Sequence, residues 1–129
     1  MYKIMLADDE GIVIDSLKFI IEKEFKDTCE VQYAKTGRSV IELAESFRPD
    51  VAVMDIQMPV MNGYEATANI RAGKSDYWKT IPVIAMTANV FQEDESRAAE
   101  CGMSDYVTKP IDMNVIYSVL EKWLRGQKG

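Results

Sequence analysis

Short apolar segments alternate with longer amphipathic segments along the whole chain, and each pattern predicts one kind of element. Four segments are apolar without polar alternation, which is typical of strands buried on both faces of a parallel sheet. A fifth segment, Glu30–Ala34, alternates apolar and polar residues as an edge strand does. The four buried segments are Ile4–Ala7, Val51–Met54, Val83–Met86 and Tyr106-Val107.

The longer segments repeat apolar residues every three or four positions, which predicts helices. Thr36 is expected to cap the second helix, and Gly102 to end the fourth in the C′ position. The fourth helix is the weakest of these predictions, because its centre, Gln92–Arg97, is wholly polar. Residues 73–80 are interpreted as a polar loop. The predicted helices cover about 10–25, 36–47, 63–72, 90–101 and 112–124.

Five strand–helix units with right-handed crossovers predict an α/β fold, a three-layer α/β/α doubly wound sandwich around a five-stranded parallel sheet. The weak second strand belongs at an edge, which favours the order 2-1-3-4-5. In that order the switch point makes Asp8, Asp9 and Asp55 neighbours. We expect one domain over residues 1–125 and a short tail over 126–129.

The composition narrows the classes of function. A net charge of -6 opposes direct nucleic-acid binding, and no apolar stretch approaches the ~20 residues that span a bilayer. Cys29 and Cys101 lack metal-ligand spacing and are expected to be free thiols, and no signal peptide is recognisable, so a cytoplasmic protein is expected. The chain has no histidine, which excludes histidine-dependent nucleophiles and a phosphohistidine donor.

Polar side chains stand where the predicted buried strands end. Asp8-Asp9 follows the first, Asp55 the third and Thr87 the fourth, and Lys109 lies just beyond the fifth. Because ligands bind at the carboxyl ends of parallel strands, these residues predict a site for a hard cation and a phosphoryl group. Each residue also has an ordinary interpretation, as a helix cap, a turn residue or a solvated lysine. Their conjunction at successive strand ends favours the site.

Four ordered motifs resemble the receiver domain of two-component response regulators, a flavodoxin-like fold. The resemblance extends from about Lys3 to Leu124. It implies a signalling phosphoacceptor that catalyses only its own phosphotransfer and dephosphorylation. The motifs are Asp8-Asp9, Asp55–Gly63, Ala85–Ala88 and Thr108–Pro110.

The resemblance implies that Asp55 accepts a phosphoryl group from a sensor histidine kinase or a histidine phosphotransfer protein. It implies Mg²⁺ as the cofactor, held by Asp8, Asp9, Asp55 and the main-chain carbonyl of Gln57.

The resemblance also assigns the remaining roles. Thr87 and Lys109 would bind the phosphoryl oxygens, and Tyr106 would turn inward as Thr87 moves toward the phosphate. Gln57 and Asn89 would tune how fast the phosphoryl group is lost. The output face would comprise the helix near 90–101, the fifth strand and the last helix, and could support a homodimer.

Three other functions are compatible with this type of sheet. A phosphatase that forms aspartyl-phosphate would need an acid two residues after Asp55, where Gln57 stands. A flavin-binding electron carrier would have its cofactor phosphate repelled by Asp8-Asp9-Glu10. A receiver used only for docking would usually lack an acid or the lysine, and this chain has them all.

Overall fold

The computed structural model describes residues 2–25, 28–56, 62–73, 76–87, 99–100, 102–109 and 111–126. The strands are β1 (Tyr2–Ala7), β2 (Cys29–Ala34), β3 (Val51–Asp55), β4 (Val83–Thr87) and β5 (Asp105–Thr108). The helices are α1 (Gly11–Phe25), α2 (Gly37–Phe47), α3 (Gly63–Arg71), α4 (Asp76–Thr80) and α5 (Met113–Gly126).

The five strands form one parallel sheet in the order β2-β1-β3-β4-β5. This confirms the predicted strand order and places the half-exposed β2 at an edge. The register pairs Asp55 with Met86 and Thr87 with Thr108. The carboxyl ends of β3, β4 and β5 therefore lie side by side, with β1 next to β3.

Two apolar clusters cover the two faces of the sheet. Alternate side chains of β1 enter different clusters: Ile4 and Leu6 belong to one, Met5 and Ala7 to the other. The first cluster is completed mainly by α1 and α5, and the second by α2 and α3, which gives the predicted three layers. The α1 and α5 contributors are Ile14, Leu17, Ile21, Ile116, Leu120 and Leu124. The α2 and α3 contributors are Val40, Ala44, Tyr64, Ala66 and Ile70.

The prediction of a polar loop over 73–80 is wrong, because Asp76–Thr80 forms the short helix α4. Its aromatic residues, Tyr77 and Trp78, are half-buried and pack against the core, which their polar neighbours obscured in the sequence. The Tyr77 hydroxyl donates a hydrogen bond of 2.6 Å to the Pro49 carbonyl. The Arg48 guanidinium lies 4.2 Å from the centre of the Tyr77 ring. The last helix also continues to Gly126 instead of ending at Leu124.

A Tyr77→Phe variant is expected to lower the free energy of unfolding by about 1 kcal/mol, because it keeps the ring and loses one hydrogen bond. Burial, helped by Asp50 and opposed by Arg48, raises the pKa of Tyr77 above its ordinary value of 10.0. Below pH 10.0, the ordinary pKa of tyrosine, the neutral hydroxyl contributes its full stabilisation to the folded protein. This stabilisation is lost as the pH rises from there toward the pKa of Tyr77 in the folded protein. Between neutral and alkaline pH, the free energy of unfolding should therefore fall less in Tyr77→Phe than in the wild type, as measured by denaturant unfolding.

The exposed Tyr33 provides the matched control for this measurement. A Tyr33→Phe variant should change the unfolding free energy by less than about 0.5 kcal/mol at neutral pH. Equal effects of the two substitutions would contradict a specific role for the Tyr77 hydroxyl.

Arg71 connects the end of α3 to the chain that enters β5. Its guanidinium donates two hydrogen bonds, of 2.9 and 2.8 Å, to the Gly102 carbonyl and one of 3.2 Å to the Trp78 carbonyl. Gly102 has a φ of 94°, the left-handed conformation expected of a C′ residue. Residues 99–100 are helical, and the rest of the predicted fourth helix lies outside the described residues. None of the described helices is both long and apolar enough to span a membrane.

Candidate functional site

Buried polar residues are concentrated at the carboxyl edge of the sheet. Asp8, Asp55 and Thr87 are 0%, 4% and 5% exposed, and they are three of the four buried polar or charged residues in the part of the chain that the structure describes. Asp8 directly follows β1, whereas Asp55 and Thr87 end β3 and β4. Burial of two carboxylates is costly unless they are paired. This edge of the sheet is therefore the candidate functional site.

Lys109 supplies a positive charge to both buried carboxylates. Its Nζ lies 2.9 Å from Asp8 Oδ2 and 3.4 Å from Asp55 Oδ2, and its side chain is only 19% exposed. The backbone N–H of Lys109 donates a 2.8 Å hydrogen bond to the Thr87 carbonyl. These contacts bring Lys109 together with Asp8, Asp55 and the main chain of Thr87, as expected for residues at the ends of adjacent parallel strands.

The protonated form of Lys109 is stabilised by its surroundings. Desolvation by burial lowers the pKa of Lys109, but the hydrogen bond that its ammonium donates to Asp8 and the charges of Asp55 and Asp8 outweigh it and leave the pKa above its ordinary value. The lysine is therefore cationic at neutral pH. A fixed cation beside a carboxylate is the arrangement that can stabilise an incoming phosphoryl group.

The acidic cluster at the start of α1 can offer oxygen ligands. Asp8, Asp9 and Glu10 each provide a carboxylate oxygen within 4.8 Å of the others, and Asp9 and Glu10 are exposed. Asp8 Oδ1 also accepts a 2.9 Å hydrogen bond from the Glu10 backbone N–H. Asp8 thus orders the turn that leads into α1 and also belongs to the acidic cluster. Hard carboxylate ligands near one another suit Mg²⁺, so Asp8 and Asp9 of this cluster fit the expected cofactor.

Gly63 allows α3 to begin directly beneath Asp55. A Cβ atom on Gly63 would lie 2.5 Å from the Asp55 carbonyl oxygen and 2.9 Å from Ile56 Cα, and both are backbone atoms. The preceding Asn62 forms a capping box with Glu65. Sequence reasoning identified Gly63 only as the start of a helix and missed this packing. Its place at the end of the Asp55–Gly63 motif was the available signal.

The remaining predicted residues are only partly described. Tyr106 lies on β5 with 37% of its surface exposed. Gln57 and Asn89, the predicted rate-tuning positions, lie outside the described residues, as does most of the predicted fourth helix.

A profile of the response regulator receiver domain family matches residues 4–121. Among curated relatives, the chain is 33% identical over 123 residues to "Hybrid signal transduction histidine kinase I" of Dictyostelium discoideum, covering 92% of this chain and 7% of that protein. It is 32% identical over 126 residues to "Regulatory protein AtoC" of Escherichia coli, covering 97% of this chain and 26% of that protein. The chain thus spans a small part of the length of these relatives.

A solved structure extends the similarity to three dimensions. It is the receiver domain of a sensor histidine kinase from Pseudomonas aeruginosa PAO1, crystallised with a magnesium ion coordinated in its active-site cleft. The two chains are 29% identical with a TM-score of 0.84, and the match covers 95% of this chain and 97% of the other. The family profile, the strand order and the similarity to known receiver domains all indicate the same family. The chain belongs to the receiver domain family of two-component response regulators.

Proposed function

We propose that this receiver domain is a phosphoacceptor and that Asp55 is the residue phosphorylated. The observation that carries the proposal is the position of Lys109 Nζ, in contact with both Asp8 and Asp55 at a buried strand end. Holding a lysine between two buried carboxylates is unfavourable in itself, because the side chain loses conformational freedom and its charge is removed from water. A phosphoryl group bound at Asp55 would give that lysine a further negative partner.

In the proposed transfer, one carboxylate oxygen of Asp55 attacks the phosphorus of a phosphohistidine on the donor protein. A new O–P bond forms and the donor's N–P bond breaks, so the imidazole departs with the bonding electron pair. Such a transition state needs alignment and charge neutralisation more than a general base. Lys109 neutralises charge on the phosphoryl oxygens, and the Thr87 hydroxyl donates a hydrogen bond to one of them. The same site then hydrolyses the acyl phosphate, which is its only turnover.

Asp8, Asp9, Asp55 and the main-chain carbonyl of Gln57 are the proposed ligands of Mg²⁺. When bound, Mg²⁺ supplies positive charge to the phosphoryl oxygens and relieves repulsion between the carboxylates. The acidic cluster and the magnesium ion in the Pseudomonas receiver domain support this assignment.

The proposed donor is a sensor histidine kinase or a histidine phosphotransfer protein, which the similarity to a hybrid histidine kinase supports. The free, half-buried thiol of Cys29 suits a reducing compartment such as the cytoplasm.

Intact mass spectrometry tests the assignment directly. Incubation with Mg²⁺ and a small phosphodonor should add one phosphoryl group to the wild-type domain, and the adduct should be absent without Mg²⁺. An Asp55→Asn variant should gain none, whereas a variant of the exposed Asp15 (Asp15→Asn) should react as the wild type does. If the wild type gains no adduct and releases no inorganic phosphate, the domain is a docking module with a silent site.

Phosphorylation is proposed to change the exposure of Tyr106 through Thr87. The two residues lie on adjacent strands, and Thr87 is buried while Tyr106 is partly exposed. The added phosphoryl group brings roughly -1.5 to -2 charges and strong acceptors toward which the Thr87 hydroxyl can move. Exposed apolar residues Met113 and Val115 on α5 support an output face that includes β5 and α5 and could mediate dimerisation.

A Thr87→Ala variant is expected to be phosphorylated on Asp55 but to leave Tyr106 exposed. The methyl group cannot donate the hydrogen bond that would draw this residue toward the phosphoryl group. The Thr87→Ser variant retains the hydroxyl and should behave as the wild type. Fluorine NMR of fluorotyrosine-labelled protein, with Tyr106→Phe assigning the signal, measures the change. A shift of the Tyr106 signal in phosphorylated Thr87→Ala would contradict the coupling.

A further inference from the structure

A chemically reactive pair of residues, Asn62-Gly63, stands at the start of α3. The side-chain amide of an asparagine can be attacked by the backbone nitrogen of the next residue, and glycine permits this attack most readily because it has no Cβ. Asn62-Gly63 is the only Asn–Gly pair in the sequence, since the other three asparagines precede isoleucine or valine. Those two residues branch at Cβ, close to the attacking nitrogen. The sequence therefore concentrates this reactivity at one position.

Tertiary packing requires the glycine of this pair. A Cβ on Gly63 would lie 2.5 Å from the Asp55 carbonyl oxygen and 2.9 Å from Ile56 Cα. A side chain at this position would obstruct the attack on Asn62, but the backbone of β3 leaves no room for one. The reactive pair is thus a consequence of the close packing of α3 against the end of β3.

Hydrogen bonds of the capping box hold the pair in place. Asn62 Oδ1 accepts a 2.9 Å hydrogen bond from the Glu65 backbone N–H, and Glu65 Oε1 accepts one of 3.2 Å from the Asn62 N–H. The Gly63 N–H donates a 3.3 Å hydrogen bond to the Ile56 carbonyl. To close a ring, the Asn62 side chain and its ψ angle, which is 175°, must rotate, and the Gly63 nitrogen must lose its proton. These hydrogen bonds therefore oppose the attack.

The capping box lies where it can open without unfolding of the domain. Asn62 is partly exposed and Glu65 is exposed, and the ends of helices open more readily than their centres. Opening frees the Asn62 side chain and admits water to it. The rate of attack should therefore follow the fraction of time for which the capping box is open.

We propose that Asn62 is a site of spontaneous deamidation and that the capping box of α3 controls the rate. The Gly63 nitrogen forms a bond to Asn62 Cγ, the bond from Cγ to Nδ2 breaks, and Nδ2 leaves as ammonia with the proton from Gly63. Water then opens the cyclic imide. Opening at Cγ leaves aspartate, whereas opening at the main-chain carbonyl carbon leaves isoaspartate. The reaction needs only water, so it is independent of phosphorylation at Asp55.

The two products should differ in their effect on α3. Aspartate caps a helix as well as asparagine does, and its negative charge is favourable at the start of a helix. Isoaspartate adds a methylene group to the main chain directly before Gly63, which packs against the Asp55 backbone. The isoaspartyl form is therefore expected to unfold at a lower denaturant concentration than the unmodified domain. The Asn62→Asp variant should be at least as stable as the wild type.

Peptide mass spectrometry after incubation in heavy-oxygen water at mildly alkaline pH measures the reaction at each asparagine. Hydrolysis of the imide incorporates an oxygen atom from the water, which distinguishes this reaction from deamidation during digestion. Asn62 should react at least about 10-fold faster than Asn69 and Asn114, a difference of about 1.4 kcal/mol in activation free energy. Equal rates at the three positions, or no label at Asn62, would overturn the proposal.

Two variants of Glu65 test control by the capping box. Glu65→Ala removes the acceptor for the Asn62 N–H and should accelerate deamidation of Asn62 at least about 3-fold, because a weakened cap is open more often. Glu65→Gln retains an acceptor oxygen and should react at the wild-type rate. Amide spectra verify that both variants are folded. If Glu65→Ala reacted no faster than Glu65→Gln, the capping box would not control the rate and the proposal would be overturned.

Discussion

A Lys109→Gln variant is expected to be phosphorylated about 10²–10³-fold more slowly than the wild type, as when one preorganised charge-stabilising donor is removed from an active site. The same variant should lose about 1–3 kcal/mol of unfolding free energy without divalent cations. This range is below the usual value for breaking a buried ion pair, because the Lys109 side chain is 19% exposed. The loss follows from removal of an ammonium group that contacts Asp8 at 2.9 Å and Asp55 at 3.4 Å.

Two measurements separate these effects from a general loss of charge. Rates of phosphoryl incorporation are compared with those of Lys35→Gln, in which an exposed lysine beside α1 is replaced. Thermal unfolding is recorded with and without Mg²⁺, which should stabilise Lys109→Gln more than the wild type because it replaces part of the lost positive charge. A Lys35→Gln variant with equal losses, or wild-type rates in Lys109→Gln, would remove Lys109 from the proposed mechanism.

A Gly63→Ala variant is expected to be destabilised by about 1–3 kcal/mol, the range for overpacking in a core. The new Cβ would lie 2.5 Å from the Asp55 carbonyl oxygen, and a backbone atom cannot rotate away as a side chain can. Because the obstruction lies under Asp55, the phosphorylation rate should fall as well. Denaturant unfolding and the rate of phosphoryl incorporation measure the two effects.

Gly11→Ala is the matched control for Gly63→Ala. Both glycines stand at the start of a helix, but a Cβ on Gly11 would meet only Lys35 Nζ, at an ordinary distance of 3.5 Å. This variant should be as stable as the wild type or more stable by up to about 1 kcal/mol, because alanine loses less conformational entropy than glycine on folding. If both substitutions had the same effect, contact with the Asp55 backbone would not be the cause.

The strand order could be predicted because the hydrophobic pattern is strong where the sheet is fully buried. The segments Val51–Met54 and Val83–Met86 have no exposed residue, so their sequences contain no polar interruption. The alternation of apolar and polar residues in β2 predicted an edge strand, because a strand at the edge of the sheet is partly exposed to solvent. The convergence of Asp8, Asp55 and Lys109 then follows from parallel strands alone.

Other features were not accessible from local patterns. The short helix α4 depends on Tyr77 reaching the Pro49 carbonyl, 28 residues away in the chain. The contact of Gly63 with the Asp55 backbone likewise depends on tertiary packing. Neither contact changes the periodicity of its own segment, which is the quantity that sequence reasoning uses.

The contacts of Arg71 have a mechanical consequence for signalling. Its guanidinium holds the Gly102 carbonyl three residues before β5 begins, while the other end of β5 leads to Lys109 at the carboxyl edge of the sheet. A strand anchored at its entrance resists translation along its own axis. Structural changes that start at the carboxyl edge of the sheet are therefore expected to reorient the side chains of β5 and to leave its hydrogen-bonded register with β4 unchanged.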